Sequence, residues 1–267
     1  MADHWRPAWG SRTYVMGVVN ATPDSFSGDG LAYDQKSILR RGRQLVTDGA
    51  DLIDVGGEST RPSSVPVPVE EELRRVIPAI TILARNCPLP LSIDTSKAEV
   101  ARRAVEAGAS VVNDVSGLHD PDMLDVVRAN DCGLVLVHND SASGVQDVVR
   151  FVLDGWVSLV DRALRAGVSS RSLMVDPGLG FGKTWRQNLE VLARLTDLRA
   201  LGLPILVGPS RKATISRVLG VEAHDRLEGT AALVAVSIAH GADAVRVHDC
   251  LQMRRVARMI DVVARSQ

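Results

Sequence analysis

Five segments of this 267-residue chain pass from apolar to chemically capable residues within a few positions. They are Leu91-Ser-Ile-Asp94-Thr-Ser, Val111-Val-Asn113-Asp114-Val-Ser-Gly, Leu173-Met-Val-Asp176-Pro-Gly-Leu-Gly-Phe181-Gly-Lys183, Leu206-Val-Gly208-Pro-Ser210-Arg211-Lys212 and Val245-Arg246-Val-His248-Asp249. Asp94, Asp176 and Asn113 suit a flat nitrogen heterocycle. Carboxylates accept from ring N–H and amino groups, and an amide both donates and accepts. Lys212 and Arg246 add positive charge, and Arg246 adds a planar surface for stacking. His248 follows Arg246 by two residues, so an extended strand points both to one side. Taken singly, each has a duller explanation. A strand-end aspartate commonly caps the next helix, and a lone histidine is more often structural.

Two further segments suit anions. Met16-Gly-Val-Val-Asn20-Ala-Thr22-Pro-Asp24-Ser25-Phe26-Ser27-Gly-Asp-Gly30 is longer than a turn requires, and long loops tend to carry function. The Asn20 amide oxygen is a candidate ligand for Mg²⁺, which takes oxygen donors and keeps waters beside a phosphate. Ile53-Asp54-Val-Gly56-Gly57-Glu58-Ser59-Thr60-Arg61-Pro62 places two glycines ahead of two hydroxyls and a guanidinium. That combination makes an anion receptor. Glu58 is expected to orient the loop, since it would repel an anion.

Such residues need a scaffold that gathers strand ends. Runs rich in Val, Ile and Leu predict buried parallel strands near 13–19, 51–55, 89–93, 110–113, 133–137, 171–175, 204–207 and 243–247. Helical periodicity fills the gaps, near 34–48, 70–86, 97–107, 121–130, 145–167, 184–199, 211–239 (two helices) and 249–265. Asp120-Pro121 reads as a helix start. Gly49, Gly108, Gly167, Gly202 and Gly241 read as left-handed helix ends. Eight βα units with polar strand ends predict an α/β (β/α)₈ TIM barrel whose site lies at the C-terminal mouth. An open doubly wound sheet is the runner-up, but it would concentrate its polar ends at one switch point. No linker or composition break appears, so residues 1–267 read as one domain, with 1–12 as an N-terminal extension.

Composition narrows the function. The net charge of −1 gives no footprint for nucleic acid or an anionic membrane. The apolar stretch 231–239 is too short to cross a bilayer. The N-terminus lacks the apolar segment of a secretory signal. Three scattered cysteines point to reduced thiols and a cytoplasmic protein. Only four of 31 basic residues are lysines, and Lys97, Lys183 and Lys212 each stand just after a predicted strand end. Whether Lys183 meets a ligand or caps a helix stays open.

In order along residues 13–250, the motifs Gly-Val-Val-Asn-Ala-Thr-Pro-Asp-Ser-Phe-Ser, Gly-Gly-Glu-Ser-Thr-Arg-Pro, Ser-Ile-Asp-Thr, Asn-Asp-Val-Ser-Gly, Asp-Pro-Gly-Leu-Gly-Phe-Gly-Lys, Ser-Arg-Lys, Glu-Gly-Thr-Ala-Ala and Arg-Val-His-Asp resemble the dihydropteroate synthase family. The resemblance implies a Mg²⁺-dependent transferase. In that reaction 4-aminobenzoate displaces diphosphate from 6-hydroxymethyl-7,8-dihydropterin diphosphate, by departure of the diphosphate ahead of amine attack. It implies Asp94, Asp176 and Lys212 as catalytic residues. It implies pterin contacts from Asp94, Asn113, Asp176, Phe181, Gly208, Lys212 and Arg246. Asn20, Thr60, Arg61, Arg246 and His248 would meet the diphosphate, with Asn20 also the metal ligand. Phe26, Thr60, Pro62, Ser210 and Lys212 would shape the aminobenzoate pocket. It also implies a homodimer built through the later helices.

The chain departs from the family pattern at Ser27-Gly-Asp-Gly30, at Ser63-Ser64, at Asn139–Gly144 and at Pro209. The first two bear on loop dynamics and sulfonamide affinity, the third on packing beside the pterin. A pterin-binding methyltransferase module is the main competitor. The Arg61 loop and Ser210-Arg-Lys212 oppose it, because methyl transfer has no diphosphate to bind. A non-catalytic pterin-binding paralogue is the other alternative, prompted by the altered loops.

Overall fold

Two interleaved sets of side chains build the sheet. In the computed structural model, which describes residues 7–22, 34–59 and 65–265, the strands are β1 (Tyr14–Asn20), β2 (Leu52–Gly56), β3 (Leu91–Asp94), β4 (Val111–Asp114), β5 (Gly133–Val137), β6 (Leu173–Asp176), β7 (Leu206–Val207) and β8 (Ala244–Val247). One set, Tyr14, Met16, Leu52, Val111, Val135, Val137, Met174, Leu206 and Ala244, packs on itself inside the sheet. The alternate set, including Val15, Ile53, Ile93, Val112, Leu134, Val175 and Val245, packs outward under the helices. Both faces are buried, which is why these strands read as unbroken apolar runs.

All pairings are parallel, in the order β6-β5-β4-β3-β2-β1-β8-β7. A bridge between Val175 and Ile205 joins β6 to β7 and closes the ring. The result is the (β/α)₈ barrel, and it excludes the open doubly wound sheet. The closing seam is thin because β7 is two residues long and Pro204, just before it, has no N–H to give. The Val175 N–H donates to the Pro204 carbonyl at 3.0 Å.

The helices among the described residues are α1 (Gln35–Thr47), α2 (Val69–Asn86), α3 (Ala98–Glu106), α4 (Met123–Asn130), α5 (Val148–Arg165), α6 (Trp185–Ala193), α7 (Leu195–Leu198), α8 (Ala213–Leu219), α9 (Leu227–Ala239) and α10 (Cys250–Arg265). Gly49, Gly108, Gly167, Gly202 and Gly241 all take positive φ, as expected. Two boundaries differ from the sequence reading. The helix expected over 184–199 breaks at Arg194, where fully buried Leu195 and Leu198 turn the last stretch inward. Asp120 does not begin α4, which starts at Met123; its carboxylate instead accepts from the Ala98 N–H at 2.8 Å, at the start of α3. No helix among the described residues is long and apolar enough to cross a membrane.

Candidate active site

Period-two alternation carries the inward set up to the mouth. Above Leu52 on β2 the next inward residue is Asp54, and above Val111 on β4 it is Asn113. Above Met174 on β6 comes Asp176, and above Ala244 on β8 comes Arg246. Register fixes their heights. Asp94 pairs with Asn113 across β3–β4 and with Gly56 across β2–β3, while Asp54 pairs with Ser92. Side chains that would be apolar in a closed core are thus acids, an amide and a guanidinium at its upper rim.

Arg246 organises this layer. Its Nε donates to Asp54 Oδ2 and its Nη2 to Asp94 Oδ2, each at 2.6 Å. The Asn113 amide donates to Asp54 Oδ2 at 3.4 Å. Burial opposes the charge on Arg246, but Asp54 and Asp94 overcome it and raise its pKa. Burial pushes Asp94 up to about 7, with Asp54 and Glu72 adding to the rise and Arg246 and Lys212 opposing it. Asp176 is also raised by burial, against the opposing effects of the Gly178 N–H, Lys212 and Arg246. Its Oδ1 accepts from the Gly178 N–H at 2.7 Å. The Asp54 and Asp94 Oδ1 atoms and the Asn113 Oδ1 atom are buried with no hydrogen-bond partner among the described residues. Orphaned buried acceptors cost free energy, on the order of 1–3 kcal/mol each, unless a ligand donor meets them.

Lys212 approaches from the loop after β7. Its Nζ lies 5.1 Å from the Phe181 ring centroid, and its stem runs beside Gly180. Burial drops it to about 8, against the pull of Asp176 and Asp94. Gly208 lies between two of the charged groups, its α-carbon facing Asp176 Oδ2 and the Arg246 stem. Ser210 Oγ is 3.0 Å from His248 Nδ1 and accepts from the His248 N–H at 3.2 Å. Asn20 ends β1 in register with Gly56.

The sequence and the fold match those of known proteins. The model of the pterin binding enzyme family matches residues 16–248. The chain belongs to the dihydropteroate synthase family of pterin-binding enzymes. It is 42% identical to the dihydropteroate synthase of Bacillus subtilis over 97% of this chain and 93% of that one. Its fold superposes with a TM-score of 0.91 on the Clostridium difficile synthase crystallised with pteroic acid, at 44% identity, covering 97% of this chain and 99% of that one. The Xanthomonas albilineans synthase in complex with 7,8-dihydropteroate gives 0.88 at 42% identity, covering 97% and 96%.

Within this synthase, the structure brings Asp94, Asn113, Asp176, Phe181, Gly208, Lys212 and Arg246 to one mouth, with Asn20, Ser210 and His248 at strand ends of the same face. Phe26, Thr60, Arg61 and Pro62, and the altered positions 27–30 and 63–64, lie outside the described residues. The stem of that second loop is anchored where it begins. Lys97 pairs with Glu58 and, at 2.6 Å, with fully buried Glu72. Arg75 donates to the Gly57 carbonyl at 2.9 Å. Glu58 is therefore held by a cation.

Two residues escape a reading by type and spacing. Asp54 has no evident role in its motif, yet it is fully buried and holds both Arg246 and Asn113. The available signal was a carboxylate in the middle of the apolar run Leu52–Val55, where only a partner makes it tolerable. Arg211 misleads in the opposite direction. Its backbone takes a left-handed φ of 55°, and its guanidinium turns away to Asp249 at 2.7 and 3.1 Å. Of the Ser-Arg-Lys motif, Ser210 meets His248, Lys212 lies over Phe181 and Arg211 pairs with Asp249.

Proposed function

We propose that this chain joins 4-aminobenzoate to 6-hydroxymethyl-7,8-dihydropterin diphosphate, giving 7,8-dihydropteroate and diphosphate. The observation that carries this reading is the row of buried acceptor atoms on Asp54, Asp94 and Asn113 that have no partner among the described residues, beside Lys212 and Arg246. A pterin edge offers the N–H and amino donors that such a row lacks. Phe181 and the Arg246 plane supply surfaces for its ring.

The chemistry follows from charge placement. The methylene C–O bond breaks and its electron pair leaves with the diphosphate, toward Arg246, His248 and the Thr60-Arg61 loop. The methylene carbon is left cationic, and the ionised Asp94 and Asp176 stabilise it. The 4-aminobenzoate nitrogen, placed by Phe26, Thr60, Pro62, Ser210 and Lys212, then forms the C–N bond and loses a proton to water. Burial of the mouth keeps water from trapping the cation first. No side-chain nucleophile is required. Incubation with both substrates should release diphosphate in step with dihydropteroate; a folded sample that releases none would refute the assignment.

Mg²⁺ fits the donor set at β1. Among the described residues no group of three His, Cys, Asp or Glu side chains could enclose a metal. The neutral amide of Asn20 suits an ion that takes its remaining ligands from a substrate diphosphate and water. Bound there, Mg²⁺ would neutralise charge on the leaving group. Chelation should abolish turnover and added Mg²⁺ restore it; full activity in chelator would remove the ion from the scheme.

The outer helices suit a second copy of this chain. α10 exposes Met259, Val262 and Val263, each at 65%; α9, packed on α10, exposes Val236, and α8, packed on α9, exposes Val218 and Leu219. A homodimer would cover these apolar side chains. Light scattering at the monomer mass of 28.7 kDa would overturn it. Cys87, Cys132 and Cys250 are buried free thiols, which supports a cytoplasmic location; fractionation of a cell expressing the gene would check it.

A further inference from the structure

Lys183 takes no part in the chemistry above, yet its ammonium group is enclosed. Its Nζ lies 3.1 Å from the His138 carbonyl, 3.2 Å from the Phe181 carbonyl and 3.4 Å from the Gly178 carbonyl. It also lies 3.1 Å from His138 Nδ1. Burial, reinforced by Lys183 itself, holds His138 down at about 4, so the ring is neutral and Nδ1 can accept. A helix-capping role is excluded. Thr184 and Gln187 cap α6 reciprocally without help, the Gln187 N–H donating to Thr184 Oγ1 at 3.2 Å and the Thr184 N–H to Gln187 Oε1 at 2.9 Å.

The contacts of Lys183 all fall on two loops. One follows β6 and runs 177–183; the other follows β5 and begins at His138. The first is rich in left-handed glycine, with φ of 67°, 84° and 58° at Gly178, Gly180 and Gly182. Glycine loops of this kind are inexpensive to deform. One further bond joins the pair, from the Ala142 N–H to the Gly182 carbonyl at 2.8 Å, and the Gln187 side chain of α6 donates to the Ala142 carbonyl at 3.0 Å. His138 is itself wedged by α5, edge-on to Phe151 at 5.0 Å and against Gly155. The loop so held carries Phe181, the ring beside Lys212.

We propose that Lys183 is a positioning residue for the heterocycle half of the site. It ties the Phe181 loop to the rigid end of β5, so that Phe181 is already in place when the ring arrives. The inference rests on the reading that this mouth binds a pterin. A loose Phe181 would have to be ordered by the ligand, and that cost would appear in ring affinity rather than in the amine half.

The test is the Lys183→Met variant of the full chain, which keeps the stem and removes the donors. Calorimetric titration with 6-hydroxymethylpterin should show binding weakened by about tenfold or more. The KM for the pterin diphosphate should rise in parallel, while that for 4-aminobenzoate stays within about twofold. Unchanged pterin affinity would overturn the proposal, and so would an equal loss for both substrates, which marks general loosening. Failure of the wild-type chain to bind the pterin would instead overturn the functional reading beneath it. Circular dichroism checks folding. If Lys183→Met does not fold, Lys183→Gln, which keeps two N–H donors on a shorter stem, should show the same split in milder form. Loss of folding in both would make the residue a folding requirement and overturn the positioning role.

Discussion

Arg246 and Asp54 meet at 2.6 Å in the barrel interior, and the same guanidinium reaches Asp94 at 2.6 Å through a different nitrogen. One planar cation thus spaces two buried carboxylates. Lysine can pair with two acids, as Lys97 does with Glu58 and Glu72, but its ammonium group is a single point of charge on a flexible stem and cannot fix their spacing in one plane. Arg246→Lys should lower kcat/KM for the pterin diphosphate by about 10²-fold or more. Diphosphate release under limiting substrate measures it; near-normal turnover would show that spacing the acids is unimportant.

The free enzyme should work best in a narrow pH range. Asp94 must be ionised to stabilise a cation, and it sits at about 7, so activity is lost as pH falls through that value. Lys212 must be charged, and it sits at about 8, so activity is lost as pH rises through that value. The kcat/KM profile for the pterin substrate should therefore be bell-shaped, with limbs near those two values. A flat profile from 6 to 9 would contradict the assignments.

Asp54→Asn should move one limb and leave the other. Besides burial, the groups bearing on Asp94 are Arg246, Asp54, Glu72 and Lys212, and of these Asp54 and then Glu72 raise it. Removing that negative charge lowers the Asp94 pKa and shifts the acid limb to lower pH, by up to about one unit. The alkaline limb, set by Lys212, stays in place. An acid limb that does not move would mean that Asp94 does not govern it.

Glycines with equal φ should differ sharply in tolerance. Gly178 and Gly202 have φ of 67° and 69°. Alanine at 202 meets nothing within 4 Å, whereas alanine at 178 collides with the His138 carbonyl. Gly202→Ala should cost about 1 kcal/mol, the conformational strain alone. Gly178→Ala should cost at least about 3 kcal/mol, since backbone must also move. Denaturant midpoints of the two variants compare them directly.

The barrel was legible because every strand is buried on both faces. Runs such as Gly133–Val137 therefore carry no competing signal, and where a run ends in a polar residue, as at Asp94 and Asp176, that residue marks the mouth. Asp94, Asn113 and Asp176 were found for that reason, whereas Arg246, one residue inside β8, was found through the polar His248-Asp249 that follow it. Asp54 was hidden by the same logic, since it lies inside a run rather than at its end. Arg211 was unreadable because a left-handed backbone at a non-glycine residue reverses the direction that spacing implies. Lys183 followed a strand end like Lys212, but the two diverge through tertiary contacts: one faces carbonyl oxygens and the other an aromatic ring. The break at Arg194 had no local marker, because buried Leu195 and Leu198 impose it from the core.

The seam between β6 and β7 is held by one bridge, whereas β1 and β2 share five paired positions. If the cylinder breathes, it does so at that stave, between the strands that lead to Asp176 and to Lys212. Amide protons of Leu206 and Val207 should then exchange with solvent deuterium faster than those of β1 and β2, and a ligand touching both sides of the gap would slow them most.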